Sequence, residues 1–278
     1  MKFLLCTDGS NQAMAAVRLG GRLAAHMGAS VALLCIERPG RPRSRQATIE
    51  AQARELLQRQ GITPELHTYP GSLPDALRRQ LQQETYALVV VGYRERRFLE
   101  KVLFGSVAVR IAHLVPVPVL IVREPREALR RILIGISGRG FQEEEVRWGG
   151  EIARAFGGQV TLLHVLPPPP LMYTGLPQVS ESLADFLESD TEEARALREG
   201  AALLTAMGLP VELQLAYGLP EREVLRVAYE QDEDLLVVGS AWAVSPWQRL
   251  ALPNVTEQVL LHTRRPVLVV RPEQAPDS

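Results

Sequence analysis

Cysteine, lysine and net charge are scarce in this sequence. It has 278 residues, two cysteines and a formal net charge of −1 at pH 7, and Lys2 and Lys101 are its only lysines. Because no Cys-x-x-Cys spacing supports a redox pair, Cys6 and Cys35 are expected to be buried free thiols. A net charge near zero gives no general attraction to nucleic acid or anionic lipid, so neither is expected as a partner.

Long hydrophobic runs are also missing. The longest, Leu114 to Val122, is far shorter than the roughly 20 residues that cross a bilayer, and prolines interrupt it. The apolar N-terminal stretch Met1–Cys6 gives way at once to Thr7-Asp8-Gly9-Ser10, which favours a β-strand over a signal peptide. The sequence therefore predicts a cytoplasmic protein without membrane association.

Common enzyme signatures are absent too. The sequence has no His-Glu-x-x-His, no Gly-x-Ser-x-Gly and no Gly-x4-Gly-Lys-Ser/Thr. Its histidines show no partner at metal-ligand spacing, so no metal site is predicted, and His164 is expected to be a satisfied core residue. Glu143–Glu145 stand together at a predicted helix start, where the helix dipole favours negative charge.

An internal repeat organises the chain. Each half begins with a basic residue and an apolar strand, and each ends on a strand of the Pro-Val-Leu-Val type. So many matches in one order indicate duplication, and the polar segment 123–126 between the halves resembles a linker. We expect a first domain over 1–124 and a second over 129–272. The matching segments are 2–5 with 131–134, 17–21 with 146–150, 31–36 with 160–165, 89–92 with 236–239 and 118–123 with 266–271.

Short β-branched runs alternate with helical patterns in each half. This alternation predicts an α/β fold of two tandem, doubly wound domains, each with five parallel strands covered by helices on both faces. Ser10 is expected to cap the first helix and Gly28 to follow its end, Gly61 to end the second, and Pro74 to open the third. Strands are predicted near 2–7, 31–36, 64–69, 87–91 and 117–122, and helices near 11–27, 46–60, 74–83 and 106–114.

The second half departs from the first after its second strand. Pro167–Pro170 predict a stiff, extended spacer, with a proline-recognition ligand as the alternative. A long polar-to-helical stretch follows and is expected to end at Gly208.

Chemistry is expected at the carboxyl ends of the first-half strands, because ligands of such sheets bind there. The loop after Gly92 leads to Gly105-Ser106 at a helix start. A glycine before a helix lets backbone N–H groups approach an anion, and the helix dipole favours negative charge there. Ser106 could equally be an ordinary N-cap.

These positions together resemble the universal stress protein family. Its nucleotide-binding members carry Gly-x2-Gly-x9-Gly-Ser/Thr after the fourth strand and an Asp after the first. This chain has Gly92-x2-Glu95-x9-Gly105-Ser106 and Asp8 in that frame, and the similarity covers nearly the whole chain, twice. The resemblance implies a flavodoxin-like, adenine-nucleotide α-hydrolase-like topology that binds ATP or a related adenine nucleotide, with or without Mg²⁺.

The resemblance also implies residue roles. Thr7 and Asp8 would lie beside the adenine and ribose, and the backbone of Ile36 would face the adenine edge. Gly92 would begin the phosphate loop, with the residues at the start of the following helix cradling the phosphates. The predicted nucleotide-binding residues are Thr7, Asp8, Ile36, Gly92, Arg94, Gly105, Ser106 and Val107.

Two departures from the family pattern bear on this prediction. Glu95 replaces the second glycine, and its carboxylate would repel phosphates unless Arg94 and the neighbouring basic residues offset it. In the second half Ser137 replaces the aspartate and Pro253-Asn254 replaces Gly-Ser, so that site is expected to be degenerate. Trp242 and Trp247 in its loop would pack locally or against a partner.

The leading functional prediction is a stress-response protein that binds ATP in its first domain and acts as a sensor or regulator without strong catalysis. The alternative is a scaffold of the same fold with empty pockets, and a slow ATP hydrolase is a third candidate. The resemblance also implies pairing of closing strands, which hides an otherwise exposed edge; we expect those at 117–122 and 267–270 to pair within the chain, giving an intramolecular pseudo-dimer with a mostly apolar interface. A homodimer would use a different surface.

Overall fold

A computed structural model describes residues 1–93, 107–137, 142–167, 182–239 and 255–271. The chain forms two compact units. The first comprises Met1–Ala128 with Arg264–Val269, and the second comprises Leu129–Thr263 with Val270–Ser278.

The first unit is a parallel sheet flanked by helices. Its five parallel strands lie in the order β3-β2-β1-β4-β5, so the strand order reverses between β1 and β4. The predicted elements are confirmed, with ends displaced by at most three residues at the described positions. The strands are β1 (Lys2–Thr7), β2 (Ser30–Glu37), β3 (Glu65–Pro70), β4 (Leu88–Gly92) and β5 (Val119–Val122). The helices are α1 (Asn11–Met27), α2 (Arg43–Gln58), α3 (Leu73–Gln83) and α4 (Val107–Leu114).

Local signals at the helix ends explain why these boundaries could be predicted. The Ser10 hydroxyl accepts a hydrogen bond from the Ala13 N–H at 3.3 Å and so caps α1. Gly28 follows α1 with a φ of 63°, a left-handed conformation that glycine adopts without steric cost. Pro74 stands in the first turn of α3, where its missing N–H removes no helical hydrogen bond.

The second unit repeats the arrangement. Its described parallel strands lie in the order β9-β6-β7-β8. The strands are β6 (Arg131–Ile136), β7 (Gln159–Leu166), β8 (Val211–Tyr217) and β9 (Leu235–Gly239). The helices are α5 (Glu143–Phe156), α6 (Leu183–Glu188), α7 (Glu192–Ala206), α8 (Pro220–Glu230) and α9 (Val255–His262).

Equivalent glycines show that the repeat preserves packing as well as sequence. A Cβ atom on Gly20 would lie 2.6 Å from the Leu5 side chain, and one on Gly149 would lie 2.4 Å from the Ile134 side chain. Leu5 and Ile134 are themselves equivalent residues of β1 and β6. In each unit the glycine therefore lets the first helix lie directly on the sheet.

The last strand, β10 (Val267–Val270), pairs with the first unit. Val267, Leu268 and Val269 run antiparallel to Ile121, Leu120 and Val119 of β5. All six side chains are almost completely buried. The predicted pairing of the two closing strands is confirmed at these residues.

Other sequence-based predictions concern burial. Cys6 and Cys35 are buried free thiols, as expected. Burial raises the pKa of Cys35 to about 12 and also raises the pKa of Cys6, so both thiols stay protonated at neutral pH. None of the described helices is both long enough and apolar enough to cross a bilayer.

Candidate functional site

The predicted site lies where the strand order of the first unit reverses. Thr7 ends β1 and Gly92 ends β4, and these two strands are neighbours in the sheet. On the other side of β1, Thr7 is in register with Cys35, which brings Ile36 to the same edge. Asp8 follows Thr7 directly. The fold therefore gathers four of the predicted residues at the carboxyl edge of one sheet.

A tight turn fixes Asp8 at the start of α1. The Gly9 N–H donates to the Thr7 hydroxyl at 3.1 Å, and the Ser10 N–H donates to Asp8 Oδ1 at 2.9 Å. Gly9 has a φ of 79°, and a Cβ there would lie 2.4 Å from the Ile49 side chain. Both observations favour glycine, and the sharp turn at Gly9 places Asp8 beyond the end of β1.

Asp8 is ion-paired with Arg38, which sequence reasoning missed. The guanidinium Nη2 of Arg38 donates to Asp8 Oδ2. Burial opposes ionisation of Asp8, but hydrogen bonds from Ser10 and Arg38 outweigh it and lower the pKa of its carboxyl group. Asp8 is therefore a carboxylate at neutral pH. Its position in the sequence could have indicated this ion pair, because Arg38 immediately follows the carboxyl end of β2.

Gly92 has a structural reason to be glycine. A Cβ atom there would lie 2.3 Å from the Gln12 carbonyl oxygen and 2.5 Å from the Ala13 nitrogen. The first turn of α1 therefore lies directly against the end of β4. Its further role, as the start of a phosphate loop, remains a prediction.

Ile36 and Val107 are the other predicted site residues that the structure describes. Ile36 is buried, and its carbonyl oxygen accepts a hydrogen bond from Arg41 Nη1 at 3.5 Å. Val107 begins α4, and 38% of its surface is exposed. The other three, Arg94, Gly105 and Ser106, lie outside the described residues, as do Glu95 and the second-half residues Trp242, Trp247, Pro253 and Asn254.

The equivalent edge of the second unit holds the side chains of Gln142, which precedes helix α5, and of Glu145 in the first turn of that helix. The Ser137 N–H, at the Asp8 position, donates to Gln142 Oε1 at 2.7 Å. Glu145 is 3% exposed, and its Oε1 would lie 2.4 Å from a Cβ on Gly239. The repeat offset places alanines, Ala13 and Ala16, where the second unit has Gln142 and Glu145. Burial raises the pKa of Glu145 above its ordinary value.

A cluster at the opposite edge of the first unit corrects one expectation. His67 was predicted to lack a partner at metal-ligand spacing, but its ring, Glu65 and Glu84 offer ligand atoms within 4.8 Å of one another. Lys2 Nζ lies 2.6 Å from Glu65 Oε2 and also bonds Glu84, so the chain supplies its own cation. We interpret this cluster as an ion-pair network. The alternation Glu65-x-His67 on one strand was its sequence signal.

His164, in contrast, is the core residue that was expected. It is 5% exposed, its Nδ1 lies 2.9 Å from the Ile136 carbonyl oxygen, and its ring stacks on Phe186 at 5.6 Å. The hydrogen bond and the stacking satisfy its polar and apolar surfaces within the second unit.

Comparison with known proteins places both units in one family. The chain is 26% identical to universal stress protein MJ0531 of Methanocaldococcus jannaschii over 54% of this chain and 87% of that protein. The structure of a universal stress protein from Archaeoglobus fulgidus matches with a TM-score of 0.71 and 18% identity, covering 97% of this chain and 96% of that one. A universal stress protein in complex with cAMP matches 52% of this chain and 98% of that one, with 23% identity and a TM-score of 0.39. The model of the universal stress protein family matches residues 1–123 and again residues 128–271. This chain therefore belongs to the universal stress protein family, with two copies of the domain in tandem.

Proposed function

We propose that this protein binds one adenine nucleotide, ATP or a close relative, at the carboxyl edge of the first unit's sheet and acts as a sensor or regulator of the stress response. The observation that carries the proposal is the ionised Asp8, held at the start of α1 by the Ser10 N–H and located where the strand order reverses. Open α/β sheets bind ligands at that point.

The chemistry of the edge suits the sugar and base of a nucleotide. The Asp8 carboxylate is an acceptor for ribose hydroxyl groups or the adenine amino group. The backbone of Ile36, at the end of the neighbouring strand, would face the adenine edge, and its carbonyl oxygen already accepts a hydrogen bond from Arg41. Gly92, Arg94, Gly105, Ser106 and Val107 complete the proposed site on the phosphate side.

The second unit is proposed to bind no nucleotide. The Glu145 carboxyl group lies beside Gly239, and the side chain of Gln142 accepts a hydrogen bond from the Ser137 N–H. This carboxyl group already lies at the end of β9, where a phosphate would have to approach, and in its ionised form it would also repel the phosphate. One nucleotide per chain follows.

Isothermal titration calorimetry with ATP tests the proposal. Asp8→Asn keeps the size of the side chain but removes its charge, and we expect it to weaken ATP binding roughly tenfold. Asp190→Asn is the matched control, because its carboxylate is 93% exposed and pairs with Arg195. Equal affinities in the two variants would contradict the role of Asp8.

A second candidate function is a scaffold of the same fold without a nucleotide. It is favoured by the engagement of both Asp8 oxygens, one by Ser10 and one by Arg38, and by Glu95 in the phosphate-loop sequence. Heat denaturation of the purified protein, followed by chromatography of the released small molecules, separates the two functions. Absence of nucleotide there and no calorimetric binding at millimolar ATP would favour the scaffold.

A further inference from the structure

The loop after β2 brings positive charge to the ribose end of the proposed site. Arg38 pairs with Asp8, and its side chain is still 53% exposed. Arg41, three residues later, reaches the carbonyl oxygen of Ile36 and the side chain of Gln46. Two guanidinium groups therefore accompany one carboxylate at the carboxyl ends of β1 and β2.

A carboxylate paired with arginine has a different ligand preference from a carboxylate alone. An unpaired carboxylate beside a ribose accepts hydrogen bonds from its hydroxyl groups and repels a phosphate attached there. In dinucleotide-binding sheets, sites for a phosphate on the ribose have a nearby arginine that accommodates it. The planar guanidinium can bind two phosphate oxygens at once, and its charge stays fixed at every physiological pH.

We infer that Arg38 is a specificity-determining residue that makes the first unit select adenine nucleotides carrying a phosphate on the 2′ or 3′ oxygen of the ribose. The selection depends on nucleotide binding at this edge, as proposed above. In this arrangement Arg38 offsets part of the repulsion from Asp8 and donates to the added phosphate. Arg41 adds a second positive charge from the same loop.

The test compares two ligands that each carry two phosphates on adenosine. ADP has both on the 5′ oxygen, whereas adenosine 3′,5′-bisphosphate has one at the ribose 3′ oxygen. We expect the wild-type protein to bind the bisphosphate more tightly than ADP. Arg38→Gln should weaken bisphosphate binding roughly tenfold, because a charge-assisted hydrogen bond is lost. The same variant should strengthen ADP binding, because Asp8 becomes free to accept the ribose hydroxyls.

Two further variants sharpen the test. Arg38→Lys keeps the charge but loses the planar donor pair, and we expect an intermediate preference. Arg45→Gln is the matched control on the same segment, because Arg45 is exposed and its backbone N–H bonds Pro42. It should leave the ratio of the two affinities unchanged.

The outcomes separate the two claims. If ADP binds the wild-type protein and the affinity ratio does not change in Arg38→Gln, the inference about Arg38 is overturned and the proposed function stands. If the folded wild-type protein binds neither ligand, the proposed function fails and the inference fails with it.

Discussion

Tyr86 in the first unit and Glu233 in the second occupy equivalent positions. Tyr86 lies two residues before β4, which ends at Gly92, and Glu233 lies two residues before β9, which ends at Gly239. Both side chains are buried, with 2% and 0% of their surface exposed. The Tyr86 hydroxyl donates to Glu84 and accepts from Gln80 at 2.7 Å. Glu233 accepts one hydrogen bond, from the Thr161 hydroxyl at 3.2 Å, and its Oε2 has no partner in the described part of the chain.

The buried Glu233 predicts a pH dependence of stability. Burial raises its pKa to about 7, against an ordinary value near 4.5. Between these values the folded protein keeps a proton that the unfolded chain has lost, so stability falls as pH rises through this window. The fall approaches about 3 kcal/mol, from ~1.4 kcal/mol for each unit of pKa difference. Urea unfolding from pH 4.5 to 8.5 measures it.

Glu233→Gln should remove this fall and leave the variant more stable than wild type at pH 8. Glu199→Gln is the control, since Glu199 is exposed on α7 of the same unit. A pH dependence that is identical in wild type and Glu233→Gln would show that another group is responsible.

Nucleotide stoichiometry is the second prediction. Calorimetric titration should find one ATP per chain, and Ser106→Glu should abolish binding by placing a carboxylate at the proposed phosphate position. Asn254→Glu, at the equivalent position of the second unit, should have no effect. Two equivalent ATP sites would contradict the proposal that Glu145 blocks nucleotide binding in the second unit.

The third prediction concerns Glu95. Glu95→Gly should strengthen ATP binding, because it removes a like charge and restores close backbone approach to the phosphates. Higher salt should reduce the difference between the two proteins, because salt screens the repulsion. An unchanged or weaker affinity in the variant would show that this carboxylate does not oppose the nucleotide.

Gly92 is expected to be needed for stability whether or not a nucleotide is present. Gly92→Ala would drive a Cβ into the backbone of Gln12 and Ala13, which we expect to cost about 1–3 kcal/mol of unfolding free energy. Gly135→Ala is the matched control, because its nearest neighbour would be the Val224 side chain at 3.8 Å. Equal stabilities of the two variants in nucleotide-free buffer would contradict the packing argument.

The pairing of β5 with β10 leads to the last prediction. Ile121 is fully buried and in register with Val267. Ile121→Asp places a carboxyl group in this apolar environment and should destabilise the protein by about 3 kcal/mol or more. Ile121→Val should cost only about 1 kcal/mol, because it removes one methylene group. Thermal unfolding compares the two, and a similar small loss in both would argue against the buried pairing.

The sequence alone determined the duplication, the succession of strands and helices along the chain, and the approximate positions of the helix ends. These features depend on residues close together in the chain, such as Ser10 with Ala13, or on periodic patterns that any segment shows by itself. The interactions behind these features are short-range, so the residue types of each segment were sufficient to predict them.

Only the tertiary structure revealed which distant side chains meet. The ion pair of Arg38 with Asp8, the approach of Glu145 to Gly239 and the contact of Lys2 with Glu65 each join residues far apart in the chain. Such contacts depend on strand order and register, because a shift of one residue turns a strand side chain to the opposite face. Composition and local pattern do not specify that register. It is set in the folded sheet by the packing of the buried faces.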